Sequence, residues 1–256
     1  MAKLILRVFG LGILCAAAVF GQQGSFGQIA YGGSWQTTFT LMNLSSTSPV
    51  TLTLSFFGDD GSPLNAPIDG FGATAAYTLT IPAGGAQNVV LTGSPVSTTQ
   101  GWASLNMTSA SGGPVRGQAS FRFLLPGGAI SEAVVPLTLP GGALCIVPFP
   151  QFNPVILLPF DNTTGQYVTS LAFANTTNSS QTYPIEFDDQ SGNPLVTDTL
   201  SLTPRQHKAF VSTKVYSSLV GAKGVLKIHA DPSTLTVLGL LSNMTGAITT
   251  IIPVTQ

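Results

Sequence analysis

Apolar and polar residues alternate along most of this chain, and the period is two. Leu52, Leu54 and Phe56 alternate with Thr51, Thr53 and Ser55, as in a strand with one buried face and one wet face. Val115, Ala119, Phe121 and Phe123 alternate with Arg116, Gln118, Ser120 and Arg122, and Leu226 and Ile228 with Lys227 and His229. Thr and Val dominate these runs, and β-branched side chains suit a pleated surface. Helical spacing is nowhere sustained, and only Lys214 to Leu219 fits a helical turn. Between the runs lie most of the 28 glycines and 18 prolines, which supply positive or preset φ for turns. The pattern predicts strands near 35–43, 50–57, 76–81, 86–91, 102–108, 115–124 and 131–137, and again near 167–175, 182–188, 195–202, 206–212, 223–229, 234–242 and 247–253.

Those two sets of seven align. Ser55-Phe56-Phe57-Gly58-Asp59-Asp60-Gly61-Ser62-Pro63-Leu64 returns as Glu186-Phe187-Asp188-Asp189-Gln190-Ser191-Gly192-Asn193-Pro194-Leu195, so one folding unit occurs twice. Thr37 to Asn43 matches Thr169 to Asn175, Pro82 matches Pro204, and Gly117 matches Gly239. The expected fold is all-β: two tandem antiparallel β-sandwich domains of immunoglobulin-like or fibronectin-like type after an N-terminal signal segment. The boundaries are 1–22 for the signal peptide, 23–139 for the first sandwich, 140–157 for an apolar, Pro-rich linker and 158–256 for the second sandwich, with 65–75 an extra loop. Leu144, Ile146, Val147, Phe149, Phe152, Val155, Ile156 and Leu157 make the joining segment too apolar for a free tether, so it is expected to pack.

Lys3 and Arg7 precede an apolar run from Val8 to Phe20, and Val19-Phe20-Gly21 is a small-residue cleavage site. The run is shorter than a bilayer span. An extracellular, cell-surface or periplasmic protein with no membrane span in the mature chain is therefore expected. Cleavage removes Cys15 and leaves Cys145, read as a small buried hydrophobe. The mature chain keeps seven Lys and Arg against ten Asp and Glu, while Ser and Thr number 54. Hydroxyls must cover the outward faces, and without a basic stripe nucleic acid is excluded as a partner.

Candidate chemistry is sparse. His207 and His229 fall on different strands with no ligand-type neighbours at metal spacing, and both are expected to face solvent. Asp59, Asp60, Asp188 and Asp189 precede turn residues and are expected to stabilise hairpins; calcium held by these carboxylates is the sharper alternative, against which stands the missing Asp-x-Asp-x-Asp spacing. Trp35 and Trp102, with Tyr31, Tyr77, Tyr167 and Tyr183, are candidates for a flat sugar platform. Alternation puts Trp102 on the outer face, where the competing role is to cover a domain contact. The sequons at Asn43, Asn106, Asn162, Asn175, Asn178 and Asn243 matter only in a eukaryotic secretory pathway. No catalytic residue, cofactor or resident metal is implied.

Tyr31-Gly32-Gly33-Ser34-Trp35-Gln36-Thr37-Thr38-Phe39-Thr40-Leu41, the Phe56-Phe57 and Asp59-Asp60-Gly61-Ser62-Pro63-Leu64 segment, Pro82-Ala83-Gly84-Gly85 and Val237-Leu238-Gly239-Leu240 together resemble secreted tandem-repeat β-sandwich proteins of soil bacteria. The resemblance implies a fold and a compartment, and transfers no site residue. The expected function is non-catalytic surface interaction, adhesion or extracellular scaffolding, with a cell-surface protein or polysaccharide as partner; carbohydrate binding through exposed aromatics is the alternative, and a secreted hydrolase the third.

Overall fold

The computed structural model describes residues 23–107, 115–125, 127–139 and 154–256. The expected signal segment and linker residues 140–153, with Cys145, lie outside the described residues. Ten strands form the first half: β1 (Gln23–Tyr31), β2 (Trp35–Asn43), β3 (Val50–Gly58), β4 (Ala66–Ile68), β5 (Gly72–Thr74), β6 (Ala76–Ile81), β7 (Ala86–Leu91), β8 (Thr99–Met107), β9 (Val115–Leu124) and β10 (Ile130–Pro136). The second half has β11 (Val155–Asp161), β12 (Tyr167–Asn175), β13 (Gln181–Asp189), β14 (Pro194–Leu202), β15 (His207–Val211), a single helical turn α1 (Ser212–Val215), β16 (Lys223–His229), β17 (Leu235–Asn243), β18 (Ile248–Ile251) and β19 (Val254–Thr255).

These strands make four antiparallel sheets, ordered β1-β8-β3-β6 and β10-β9-β2-β7-β4-β5 in the first half, and β14-β13-β16-β11-β19 and β15-β12-β17-β18 in the second. The order recurs: β1-β8-β3-β6 has its counterpart in β11-β16-β13-β14, and β10-β9-β2-β7 in β18-β17-β12-β15. The all-β expectation holds, and each pair of sheets encloses apolar side chains as a β-sandwich does. Phe26, Phe39, Leu52, Leu54, Phe56 and Phe121 fill the first core, and Leu158, Phe160, Phe173, Phe187, Leu226 and Ile228 the second.

Matching side chains tie the sheets of each half together. Thr37 Oγ1 accepts from the amide of Ala30 at 3.0 Å and donates to its carbonyl at 2.7 Å; Thr169 does the same to Asp161, at 2.9 Å both ways. Asn43 Nδ2 donates to the carbonyls of Ser48, Ile81 and Pro82 while its Oδ1 accepts from the Ser45 amide. Asn175 repeats this with Ser179, Leu202, Thr203 and Thr177. Both asparagines are buried, so these two sequons are internal hydrogen-bond hubs.

Three expectations need correction. The second sandwich opens at Val155, not 158: Ile156, Leu158 and Phe160 point into its core, and Pro159 fits because β19 pairs only with Ile156 and Leu157 along that edge. Residues 65–75 hold the short hairpin β4–β5, joined to the sheet through Ile68 and Leu91. Register also moves two repeat matches. Phe39 lies opposite Ala119 and its equivalent Leu171 opposite Gly239, so Gly239 corresponds to Ala119 and not to Gly117. The turn amides of Gly84 and Gly85 bond Ser45 and Pro82 as those of Arg205 and Gln206 bond Thr177 and Thr203, which sets Pro82 against Thr203 and Gly84 against Arg205.

Replacing Asn175 with Ala strips donors from the Ser179 and Thr203 carbonyls and an acceptor from the Thr177 amide. The Ser179 and Thr203 carbonyls keep a second donor each, the Thr177 hydroxyl and the Gln206 amide, so the loss is of hydrogen bonds worth about 0.5–1.5 kcal/mol net apiece. Asn175→Ala should lower the denaturant midpoint by an amount equivalent to about 2 kcal/mol, and Asn43→Ala should do likewise. A variant as stable as the parent would show that these hubs carry no load.

Candidate binding clefts between the two sandwiches

The outer row of β8 reads Gln100, Trp102, Ser104 and Asn106, beside Ser55 and Phe57 of β3. In a lone sandwich this face would meet water. Here the second half covers it. Trp102 is fully buried and stacks on Phe57 at 4.7 Å and 19°. The Arg205 guanidinium lies over both rings, 5.4 Å from the Phe57 centroid and 5.9 Å from that of Trp102, a cation–π arrangement. Trp102 Nε1 donates to the Arg205 carbonyl at 2.8 Å. A platform on Trp102 is therefore not exposed; its outward face serves the contact between halves.

Arg205 holds a φ of +58°, where the equivalent Gly84 has +63°. Left-handed backbone costs a side-chain-bearing residue about 1–2 kcal/mol, and the turn keeps it because the same bend aims both the carbonyl and the guanidinium at Trp102. The backbones meet closely next to it: a Cβ on Gly61, itself at φ +84°, would fall 2.3 Å from the Pro204 carbonyl oxygen. One step further, the His207 amide bonds the Asp59 carbonyl at 3.3 Å, and its Nδ1 lies 2.7 Å from Asp59 Oδ1. That geometry places the imidazole proton on Nδ1. His207 is buried, contrary to the expected solvent-facing strand position, because Asp59 of the other half sits over it; His229 is exposed.

Elsewhere the contact is apolar or edge to edge. β1 is buried on both faces: Phe26 and Ile29 enter the first core, Ala172 and Leu238 of the second half pack against that same cluster, and a bulge between Phe26 and Ile29 breaks the ladder. The edges of β10 and β18 are joined by Thr250, whose Oγ1 accepts from the Val134 amide and donates to its carbonyl, and by Ser131, whose Oγ accepts from the Ile248 amide.

Two clefts open along this contact. The first, about 390 Å3, has Trp35, Phe123 and Phe210 among its walls. Trp35 stacks on Phe123 at 4.5 Å and meets Phe121 edge-on at 6.2 Å. Gln28 Nε2 donates to Gln100 Oε1 at 3.0 Å along one wall, between neighbouring strands β1 and β8, and among the described residues no charged side chain lines the cleft. A smaller adjoining hollow shares Gln28, Trp35, Gln100 and Leu240. The second cleft, about 270 Å3, runs past Arg205 and is walled largely by hydroxyls and amides. A third and wider hollow of about 500 Å3 lies on the second half alone, beside Asp161, Lys223 and Val225.

The acidic pairs are not equivalent. Gly58 and Asp189 share one turn position, shown by matching bonds to Ser62 and Asn193, so Asp59-Asp60 aligns with Gln190-Ser191. Asp60 Oδ1 accepts from the Ser62 hydroxyl and amide, and Asp189 from the amides of Ser191 and Asn193 and the Asn193 side chain. Asp188 is buried and paired through Oδ2 with Lys227, and Glu186 Oε2 lies 3.9 Å from the same ammonium. Among the described residues no group of three His, Cys, Asp or Glu side chains is placed to hold a metal ion, nor is any helix long and apolar enough to cross a membrane.

No protein-family model matches the chain, and no curated protein or solved structure is significantly similar to it. The residues that the sequence reading did not single out as site candidates are Arg205, Gln28, Gln100 and Phe123. A cue existed for Arg205: once Thr203-Pro204-Arg205-Gln206 is set on Pro82-Ala83-Gly84-Gly85, an arginine occupies a glycine's place.

Trp102→Phe keeps the stacked ring but leaves the Arg205 carbonyl without its donor, and should cost about 1–2 kcal/mol in denaturant unfolding; Trp102→Ala should cost about 3–5 kcal/mol. Four carboxyls are held below the ordinary range. The Ser62 hydroxyl does this to Asp60, the Asn193 side chain to Asp189, and the Thr199 amide followed by the Tyr216 hydroxyl to Asp198. At Asp161 burial pushes upward, and the Thr163 hydroxyl and amide outweigh it. A depressed folded pKa stabilises above the unfolded value of about 4 and is lost as pH falls through the folded one. The melting temperature should therefore drop as pH is lowered from 5 to 2.5; a rise over that window would contradict this.

Proposed function

We propose that the protein works outside the cytoplasm as a non-catalytic β-sandwich module for surface interaction, and that it engages an uncharged polysaccharide through the cleft around Trp35. The stacked Trp35–Phe123 pair carries this reading. Aromatic faces offer rigid apolar area with little entropy to lose, matching the C–H face of a pyranose ring. The Gln28–Gln100 amides beside them can donate to and accept from sugar hydroxyls, and a cleft between domains with few polar groups is a usual ligand site. Export through the segment 1–22 and kinship with secreted tandem sandwich proteins belong to the same proposal.

Immunoglobulin-like character is part of it too. The pairings β2–β7 and β3–β8 correspond to the B–E and C–F pairs at the centre of that sandwich. The strands flanking that centre trade places relative to it: β1 joins β8 and β9 joins β2. The reading is therefore of an immunoglobulin-like centre with exchanged outer strands.

Titration of the purified protein with neutral oligosaccharides, followed by tryptophan fluorescence and calorimetry, tests the proposal. At least one neutral glycan should bind, with affinity falling tenfold or more in Trp35→Ala and less in Trp35→Phe. Absence of binding across gluco-, galacto-, manno- and xylo-oligosaccharides, or binding indifferent to Trp35→Ala, overturns it.

A further inference from the structure

The second cleft holds a cation that no carboxylate among the described residues neutralises. Arg205 donates from Nε to Asn178 Oδ1 at 2.9 Å and from Nη1 to the Thr176 carbonyl at 2.5 Å. Among the described residues its side chain has no carboxylate partner, and the ion pairs there involve only His207 and Lys227 as cations. The hydrogen bonds of the guanidinium to described residues run from Nε and Nη1, and Arg205 is half-buried. Burial lowers the Arg205 pKa, yet a guanidinium stays charged at any physiological pH. Partly buried charges are normally paired. Asp231, next to the lining residue Pro232, spends Oδ1 on the Ser233 amide, and among the described residues no Asp or Glu lines the cleft.

The remaining lining has a consistent chemistry. Ser25, Ser55, Ser104, Asn106 and Ser233 face the cleft together with Arg205. All but Ser233 come from the β1-β8-β3-β6 sheet of the first half, whereas Arg205 comes from the second, so the site is complete only when the halves are joined. A planar guanidinium edge matches a carboxylate, and the serine and asparagine groups can each donate and accept. We infer that this cleft binds an acidic sugar, its carboxylate on Arg205 and its ring hydroxyls on the serines and Asn106.

This site differs from the Trp35 cleft in residues and ligand charge, so either assignment can fail while the other stands. The test is calorimetric titration of the purified protein with oligogalacturonate, with neutral galacto-oligosaccharide, acetate and a peptide with a free C-terminus as separate arms. Two variants accompany it. Arg205→Gly installs the residue found at the equivalent Gly84 turn, so its backbone suits the fold; Ser104→Leu fills the cleft and leaves the cation in place. Oligogalacturonate should bind, weaken with rising salt and lose at least tenfold affinity in both variants, while the neutral sugar leaves this site empty. No binding of oligogalacturonate, or binding unchanged by Ser104→Leu, overturns the inference. Acetate or the peptide binding as tightly as the uronate also overturns it, because the hydroxyl half of the site would then contribute nothing.

Discussion

The seating of Trp102 beneath Arg205 is the contact on which the rest of this structure depends. It turns the outer face of a sheet into an interior surface. An aromatic side chain of this size removes on the order of 200 Å2 from water, about 5 kcal/mol at the usual coefficient. That exceeds the 1–2 kcal/mol or so of holding Arg205 in left-handed backbone. The balance explains why a strained arginine persists where the sister turn uses glycine. Asp59 and His207 add direction to this contact through a charge-assisted bond, and apolar packing of Ala172 and Leu238 against the first core extends it.

Both clefts follow from that one contact. The row Gln100, Trp102, Ser104, Asn106 runs along a single strand, with the first residue in one cleft and the last two in the other. A sandwich alone would present this row as flat, wet sheet. Docking the second half onto its middle leaves concave space to either side. The polar groups that line those spaces are ordinary strand residues given a new setting by their neighbours.

Much of the fold was legible because alternation survives wherever one face is buried and the other is wet. Strands such as β3, β6 and β9 read directly for that reason. β1 did not, because a bulge between Phe26 and Ile29 breaks the period and both of its faces are covered. β11 was missed as a strand because it is apolar, begins inside the expected linker and contains Pro159, yet along its outer edge only Ile156 and Leu157 are paired, so the missing donor of Pro159 is tolerated. The clefts were hidden for a different reason. Trp35 was visible as an aromatic on a strand, but its partner Phe123 lies across the sheet. The company Arg205 keeps is set by contact between halves over a hundred residues apart, which no local pattern encodes.

The duplicated face also differs between copies in a telling way. Where the first half has Phe57, Trp102, Ser55 and Ser104, register places Asp188, Val225, Glu186 and Lys227 in the second. An aromatic seat has become an ion-paired surface that would be costly to dehydrate. At the other end, the first half offers Gly84, with no side chain, where the second offers Arg205. Each unattached end thus lacks its share of the joint, much as terminal caps close a repeat array. The joint that welds two units within a chain therefore cannot be repeated head to tail between separate molecules, because neither free end carries the residues that form it.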